Sequence, residues 1–301
     1  RKLLLFSFSE WVTGFTMVTI LAGTNLYYYA SAEPAMSHAF SFSLITCFIY
    51  QSVLWLSEKT FKRAIYLGLL GGLIVLIRPV NILIFLFPLL YNVATAKQFT
   101  DRINYFTCKW KHIITIAFLG FFVLLPQFIY WKVITGSWLF NSYVGERFYF
   151  SNQHILEGLF SYRKGWLTYT PIMAFAFIGL VFLYKKDRKY LLSISVFLCL
   201  NIFVLYSWWS WWYGGGFGSR PMIDCYGLLA IPIASFYSVI PRKKLVFIPI
   251  FSIGTILITL NQIQTFQHRR GIIHWDSMTK KAYWNVFLKM NMRADDWARQ
   301  E

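Results

Sequence analysis

Four stretches of the chain combine residue types that can do chemistry. The first runs from Asn25 to His38 and holds Tyr27, Tyr28 and Tyr29, then Glu33-Pro34-Ala35-Met36-Ser37-His38. A carboxylate beside a histidine at a helix end can act as a general base, or hold a metal or a sugar hydroxyl. The alternative is architectural: the tyrosines form an interfacial belt, and Glu33 and Ser37 cap the next helix. The second stretch is Ile77-Arg78-Pro79-Val80-Asn81. Pro79 stops a helix and leaves Arg78 as a fixed cation where a phosphate can bind; snorkelling, or pairing with a loop carboxylate, is the competing role.

The third stretch, 135 to 170, carries ten aromatic residues between Trp138 and Tyr169, Tyr143 among them, interleaved with Glu146, Arg147, His154, Glu157, Arg163 and Lys164. So much apolar area demands burial, so a packed cap is expected, with rings that either stack on sugar or lipid or anchor at the interface. The fourth begins at Tyr206 and places four tryptophans in five residues, Trp208 to Trp212, before Tyr213-Gly214-Gly215-Gly216-Phe217-Gly218-Ser219-Arg220. The glycines allow backbone N–H groups to approach a ligand, which with Arg220 makes an anion or glycan cradle. Against that, Arg220 and Asp224 are spaced i, i+4 and can pair with each other. His274 and Asp276 are too slender a signal for catalysis, and no cysteine spacing resembles a zinc site or disulfide framework.

The elements that must position these residues are apolar. Of 301 residues, 57% are hydrophobic, 21% aromatic and 14% charged, which excludes an ordinary soluble domain. The net charge of +17 does not indicate nucleic acid, because the basic residues sit in short clusters between apolar runs. About 20 apolar residues cross a bilayer. Runs near that length predict about nine spans: 11–30, 37–57, 64–78, 80–95, 113–134, 171–184, 190–208, 221–240 and 245–265. The third and fourth meet at Arg78-Pro79, where a re-entrant hairpin is the alternative.

With nine crossings the Lys/Arg clusters at 1–2, 59–63, 97–111, 185–189 and 242–244 fall on one side, which the positive-inside rule makes cytoplasmic. The fold class is therefore an all-α polytopic membrane helix bundle over 1–265, with outward loops at 31–36, 135–170 and 209–220. An outward amphipathic tail follows over 266–301, with Ser277 as its helix N-cap and Tyr283, Val286, Phe287, Met290, Ala294 and Trp297 along one face. The span interiors read as nearly free of Asp and Glu.

The outward motifs, in this order, resemble those of the GT-C superfamily of polytopic glycosyltransferases, especially bacterial relatives of protein O-mannosyltransferases and the lipid A aminoarabinose transferase. They are Tyr28-Tyr29 with Glu33 to His38, Gly71-Gly72 with Ile77-Arg78-Pro79, Leu159 to Trp166 with Tyr169-Thr170-Pro171, and Trp212 to Arg220. The resemblance implies an inverting transfer of a sugar from a polyprenyl-phosphate donor to an extracytoplasmic glycan, lipid or protein acceptor, in a bacterial inner membrane with the active face outward. Arg78, Arg220, His38, Tyr213, Trp212, Arg163, Tyr143 and Glu146 become substrate-binding residues, and Glu33 an auxiliary catalytic one. The donor is the lipid-phosphate-linked sugar, a divalent metal is compatible with the chemistry although no metal ligands are assigned, and the partners are membrane lipids and an acceptor, not nucleic acid. The family's principal acid-bearing loop lies between its first two spans; the chain begins at Arg1 without an initiator Met, so that loop and its base are expected upstream. A transporter or flippase of an anionic lipid-linked substrate, or a non-catalytic scaffold, is the competing reading.

Overall fold

The computed structural model describes residues 1–141, 143–241 and 243–292. Its α-helices are α1 (Glu10–Ala22), α2 (Leu26–Ser31), α3 (Ser37–Glu58), α4 (Phe61–Ile77), α5 (Leu86–Leu90), α6 (Ala96–Cys108), α7 (Trp110–Thr135), α8 (Ile155–Phe160), α9 (Trp166–Tyr169), α10 (Ala174–Lys186), α11 (Leu191–Tyr206), α12 (Tyr226–Val239), α13 (Lys244–Arg269) and α14 (Lys280–Val286). Short 3-10 segments precede several of them, notably Pro79–Phe85 and Arg220–Cys225. Among the described residues, extended pairing is confined to an isolated antiparallel bridge between Phe148 and Trp208.

Five segments among the described residues are long and apolar enough to cross a membrane: Ser37–Glu58, Trp110–Thr135, Arg188–Tyr206, Arg220–Val239 and Lys244–Arg269. By length and composition they mark the chain as an integral membrane protein. The other expected runs fall on shorter helices. The run 11–30 is divided at Gly23-Thr24-Asn25, where α1 stops and α2 begins after a bend. The run 80–95 becomes the 3-10 segment Pro79–Phe85 followed by α5, together roughly 20 Å long. Pro79 forces the start of that segment because it cannot continue α4.

Burial sorts the helices into a centre and a periphery. α12 is buried along nearly its whole length, from Tyr226 to Tyr237. Glycine lets its neighbours come close: a Cβ at Gly179 of α10 would strike the Pro232 carbonyl of α12, and one at Gly227 of α12 would strike the Thr46 hydroxyl of α3. Thr19 of α1 shares a hydrogen bond of 2.8 Å with the Tyr237 hydroxyl of α12. α7 lies at the opposite extreme. It is apolar on every face, buries only His112 and exposes Phe118, Phe121 and Phe122, as a lipid-facing helix must. It docks on α4 through glycine, since a Cβ at Gly72 would sit 2.8 Å from the Gly120 carbonyl oxygen.

One end of the bundle holds the connections rich in Lys and Arg, where the Asn92 amide donates to the Lys189 carbonyl at 2.6 Å and the Ser7 hydroxyl reaches Asp187 at 3.4 Å. The other end gathers the four chemistry-bearing stretches. The tail folds back onto it: Ile272, Ile273, Met278, Ala282, Tyr283 and Val286 are buried, and the Gln267 amide of α13 donates to the Val286 and Lys289 carbonyls. The cap of α14 is Thr279, whose hydroxyl accepts from the Ala282 amide at 3.1 Å, and not Ser277, which bonds Asp276 instead. Met290 is exposed, while Ala294 and Trp297 lie outside the described residues.

Candidate functional site

Asp224 is the hub of the site end. It lies in the 3-10 segment Arg220–Cys225, is 2% exposed, and accepts hydrogen bonds from Arg78 Nη1 at 2.8 Å and Asn81 Nδ2 at 2.9 Å. Its other oxygen is 3.0 Å from His38 Nδ1. With the carboxylate ionised, Nδ1–H is the donor and Nε2 the acceptor. Three elements are thereby pinned together: the start of α3, the break after α4 and the start of the α12 segment. An ionised group here tolerates burial because each carboxylate oxygen is charge-paired or hydrogen-bonded.

Arg220 does not pair with Asp224, because the backbone between them is a 3-10 helix with three residues per turn, which turns i and i+4 about 120° apart. Asp224 sits within the expected span 221–240 and is an exception to span interiors that read as nearly free of Asp and Glu. Arg78 takes the pairing role, although the partner comes from the run and not from a loop; its Nε and Nη2 donate to no acceptor among the described residues.

Arg220 is left as a cation without an ion pair among the described residues. Its Nη1 donates to the Gly215 carbonyl at 3.3 Å and touches Met36 Sδ at 3.7 Å, and its Nε is buried with no partner. Arg78 and Arg220 both act electrostatically on His38 and on Tyr213, so the structure brings these four expected residues to one region.

Glu33 does not cap α3, which begins after Met36 without a side-chain cap from either Glu33 or Ser37. One of its oxygens accepts a hydrogen bond from the Tyr28 hydroxyl at 2.6 Å, and the other is buried with no partner among the described residues. The belt reading fails for Tyr28 and Tyr29, which are buried, whereas Tyr27 is exposed. Tyr29 lies between Glu33 and Arg220 in electrostatic reach, and its hydroxyl takes the Phe217 amide N–H at 2.8 Å.

The glycine loop has the backbone its composition implies. Gly214, Gly216 and Gly218 have φ of 66°, 139° and 59°, which a side chain would strain. The N–H groups of Gly216 and Phe217 serve Trp275 and Tyr29, however, so the loop closes on its own protein at those two positions. Lys164 locks it there, its ammonium donating to the carbonyls of Gly216 and Trp275. Lys164 is 3% exposed, and burial, opposed by Asp276 and reinforced by Arg220 and Arg163, lowers its pKa to about 8.

Arg163 lies over the Trp212 ring at 3.6 Å and pairs with Asp276 at 2.9 Å, tying the aromatic cap to the tail. The Asp276 carboxyl loses solvation, which would raise its pKa, but Arg163, Ser277 and Lys164 together hold it below the ordinary range. Tyr213 spends its hydroxyl on the Leu205 carbonyl at 2.8 Å. Tyr143 and Glu146 belong to a surface turn packed through Tyr143 on Trp208 and make no hydrogen bond to Glu33, Arg78 or Arg220. His274 Nδ1 accepts from the Asp276 and Ser277 amides and is part of the turn before α14.

Among the described residues no three His, Cys, Asp or Glu converge as metal ligands. His38 and Asp224 come nearest, and Arg78 already occupies the carboxylate, so a divalent ion does not fit there. A cavity of about 360 Å³ opens beside α2 and the end of α13, lined by Tyr27, Gln262, Thr265, Phe266, Arg269 and Arg270. Reading one segment at a time missed Asp224, Asn81, Tyr29 and Lys164. For Asp224 the available signal was an isolated acid inside an apolar run. No protein-family model, curated protein or solved structure matches this chain.

Proposed function

We propose that the chain is the body of a membrane glycosyltransferase that moves a sugar from a polyprenyl-phosphate donor to an acceptor at the site end of the bundle. The observation that carries the reading is the set around Tyr29. Among the described residues Glu33 keeps one oxygen without a partner, while Arg220 and Lys164 carry charge with no carboxylate in salt-bridge distance. An acceptor hydroxyl needs a carboxylate, and a departing lipid phosphate needs cations that are not already neutralised. Arg220 and Lys164 therefore take the phosphate, Glu33 holds the acceptor hydroxyl, and Arg78 is held back by Asp224 as a positioning residue. Trp212, with Arg163 stacked on it, supplies a sugar-sized aromatic wall. Nine crossings in a bacterial inner membrane, with the Lys/Arg-rich connections cytoplasmic, put this end outward.

The test is transfer from defined polyprenyl-phosphate sugars by protein reconstituted in proteoliposomes. Glu33→Gln should lower turnover with little change in donor affinity, and Arg220→Gln should weaken the donor. Lipid movement across the bilayer with no transfer from any donor would replace this reading by a flippase.

A further inference from the structure

Away from the candidate site, α6 is an amphipathic helix that buries none of its residues. Both of its ends are held at the Lys/Arg-rich end of the bundle. Just before it, the Asn92 amide donates to the Lys189 carbonyl, and Thr95 caps the first turn by accepting from the Gln98 amide at 3.3 Å. Just after it, Lys109 leads directly into α7, whose His112 accepts from Trp55 Nε1, near the end of α3, at 3.0 Å. Thirteen helical residues span about 20 Å. With both ends fixed at one level, α6 lies across the end of the bundle, at the depth where the lipid-facing α7 begins.

Its faces differ. Arg102 donates to the Pro88 and Tyr91 carbonyls at 3.0 and 2.7 Å, and the Tyr105 and Phe106 rings lie 5.7 and 5.5 Å from the Trp55 ring, so this side meets the bundle. Ile103 follows Arg102 about 100° round the helix, with Phe99 one turn before it on the same side; they are 40% and 39% exposed. Lys97, Thr100 and Asn104 are exposed on the remaining side. Exposed rings with a lysine over each stand nearby: Trp110 under Lys111 at 5.7 Å and Tyr66 under Lys62 at 5.8 Å, the pairing expected at a bilayer interface. Residues 58–63 and 97–111 together hold seven basic residues against Glu58 and Asp101, and Arg63 takes Glu58 at 3.0 Å. Lys59, Lys62, Lys97, Lys109 and Lys111 pair with no carboxylate among the described residues. An acidic protein would answer this charge, but the apolar stripe opens at the level where α7 meets lipid, which favours a membrane surface.

We propose that α6, with the first turns of α4 and α7, is a docking surface for an anionic lipid leaflet: Phe99 and Ile103 enter the acyl boundary, and Lys62 and Lys111 gather lipid phosphates around them. The surface shares no residue with the candidate site and holds whether or not the chain transfers a sugar.

The test uses the full chain with its own four cysteines replaced by alanine and a single NBD-labelled cysteine, Ile103→Cys or Asn104→Cys. Each protein is placed in nanodiscs of equal phosphatidylcholine and phosphatidylglycerol, one of the two lipids carrying a doxyl quencher. The label at 103 should be quenched by lipid and shielded from aqueous acrylamide, and the label at 104 should behave in the opposite way. Doxyl phosphatidylglycerol should quench the label at 103 about two- to fivefold more strongly than doxyl phosphatidylcholine, a lysine near the surface being worth about fivefold in local concentration. Lys62→Gln with Lys111→Gln should make the two lipids equal while the label stays shielded, and a melting curve checks that this variant is folded. Acrylamide access at 103 equal to that at 104 overturns the proposal, as does a label at 103 that neither lipid nor acrylamide reaches, which would mean that protein covers the stripe. Equal quenching by the two lipids in the chain that keeps both lysines, or a preference that survives their removal in folded protein, overturns the anionic assignment.

Discussion

Removing Asp224 should cost more than removing any surface charge of this chain. In Asp224→Ala, Arg78 remains a cation only 16% exposed, with its 2.8 Å partner gone, and Asn81 and His38 each lose an acceptor. Stranding one member of a buried pair costs about 3–5 kcal/mol, whereas deleting both members and filling the space is close to neutral. Arg78→Met in the Asp224→Ala background should therefore recover about half or more of the loss, and the double-mutant cycle should show strong coupling. Equilibrium unfolding in mixed micelles, followed by tryptophan fluorescence, measures all four proteins. Losses that simply add, or a single-variant loss below about 1 kcal/mol, would refute the view that Asp224 is an ionised carboxylate charge-paired with Arg78.

Lys164 makes a pH prediction. Its pKa is about 8 in the fold against an ordinary 10.5, so between these values the unfolded chain binds more protons. Stability owed to this group rises with pH from about 8 to about 10.5, by about 3 kcal/mol, and Lys164→Met should abolish that difference between otherwise matched melting curves. Gly179→Ala should destabilise by about 1–3 kcal/mol or more, because its Cβ meets the Pro232 backbone and not a side chain that can move aside; an unchanged melting temperature would show that α10 and α12 do not pack as closely as described. A cysteine placed at Asp187 should resist an impermeant thiol reagent in intact cells, and ready labelling there would reverse the proposed orientation.

Where an element depends on local pattern, the sequence shows it plainly. Five of the nine apolar runs became helices of spanning length, and the glycine-rich loop has positive φ at Gly214, Gly216 and Gly218, as only glycine allows without strain. The bend at Gly23 to Asn25 was missed because hydropathy does not register a buried polar joint. Asn25 spends its side chain across the fold, donating to the Phe217 carbonyl at 3.1 Å and accepting from the Tyr226 hydroxyl at 2.8 Å. Asp224 was misassigned for a related reason: the i, i+4 rule presumes an α-helix, and its real partners lie 143 to 186 residues away. Lys164 and Arg163 are adjacent, yet Lys164 is buried under the glycine loop while Arg163 stacks on Trp212, a division fixed by tertiary contacts alone.

The central claim is that Arg220 and Lys164 hold a lipid phosphate next to Glu33. Photo-crosslinking with a polyprenyl phosphate bearing a short-arm diazirine beside its phosphate, followed by peptide mapping, tests it most directly. The account predicts label in 161–166 and 213–220, suppressed by unlabelled polyprenyl-phosphate sugar and reduced at least tenfold by Arg220→Gln, since a charge-assisted contact of about 1.5–3 kcal/mol is lost. Label confined to other segments, or label in these segments that Arg220→Gln leaves unchanged, would contradict it.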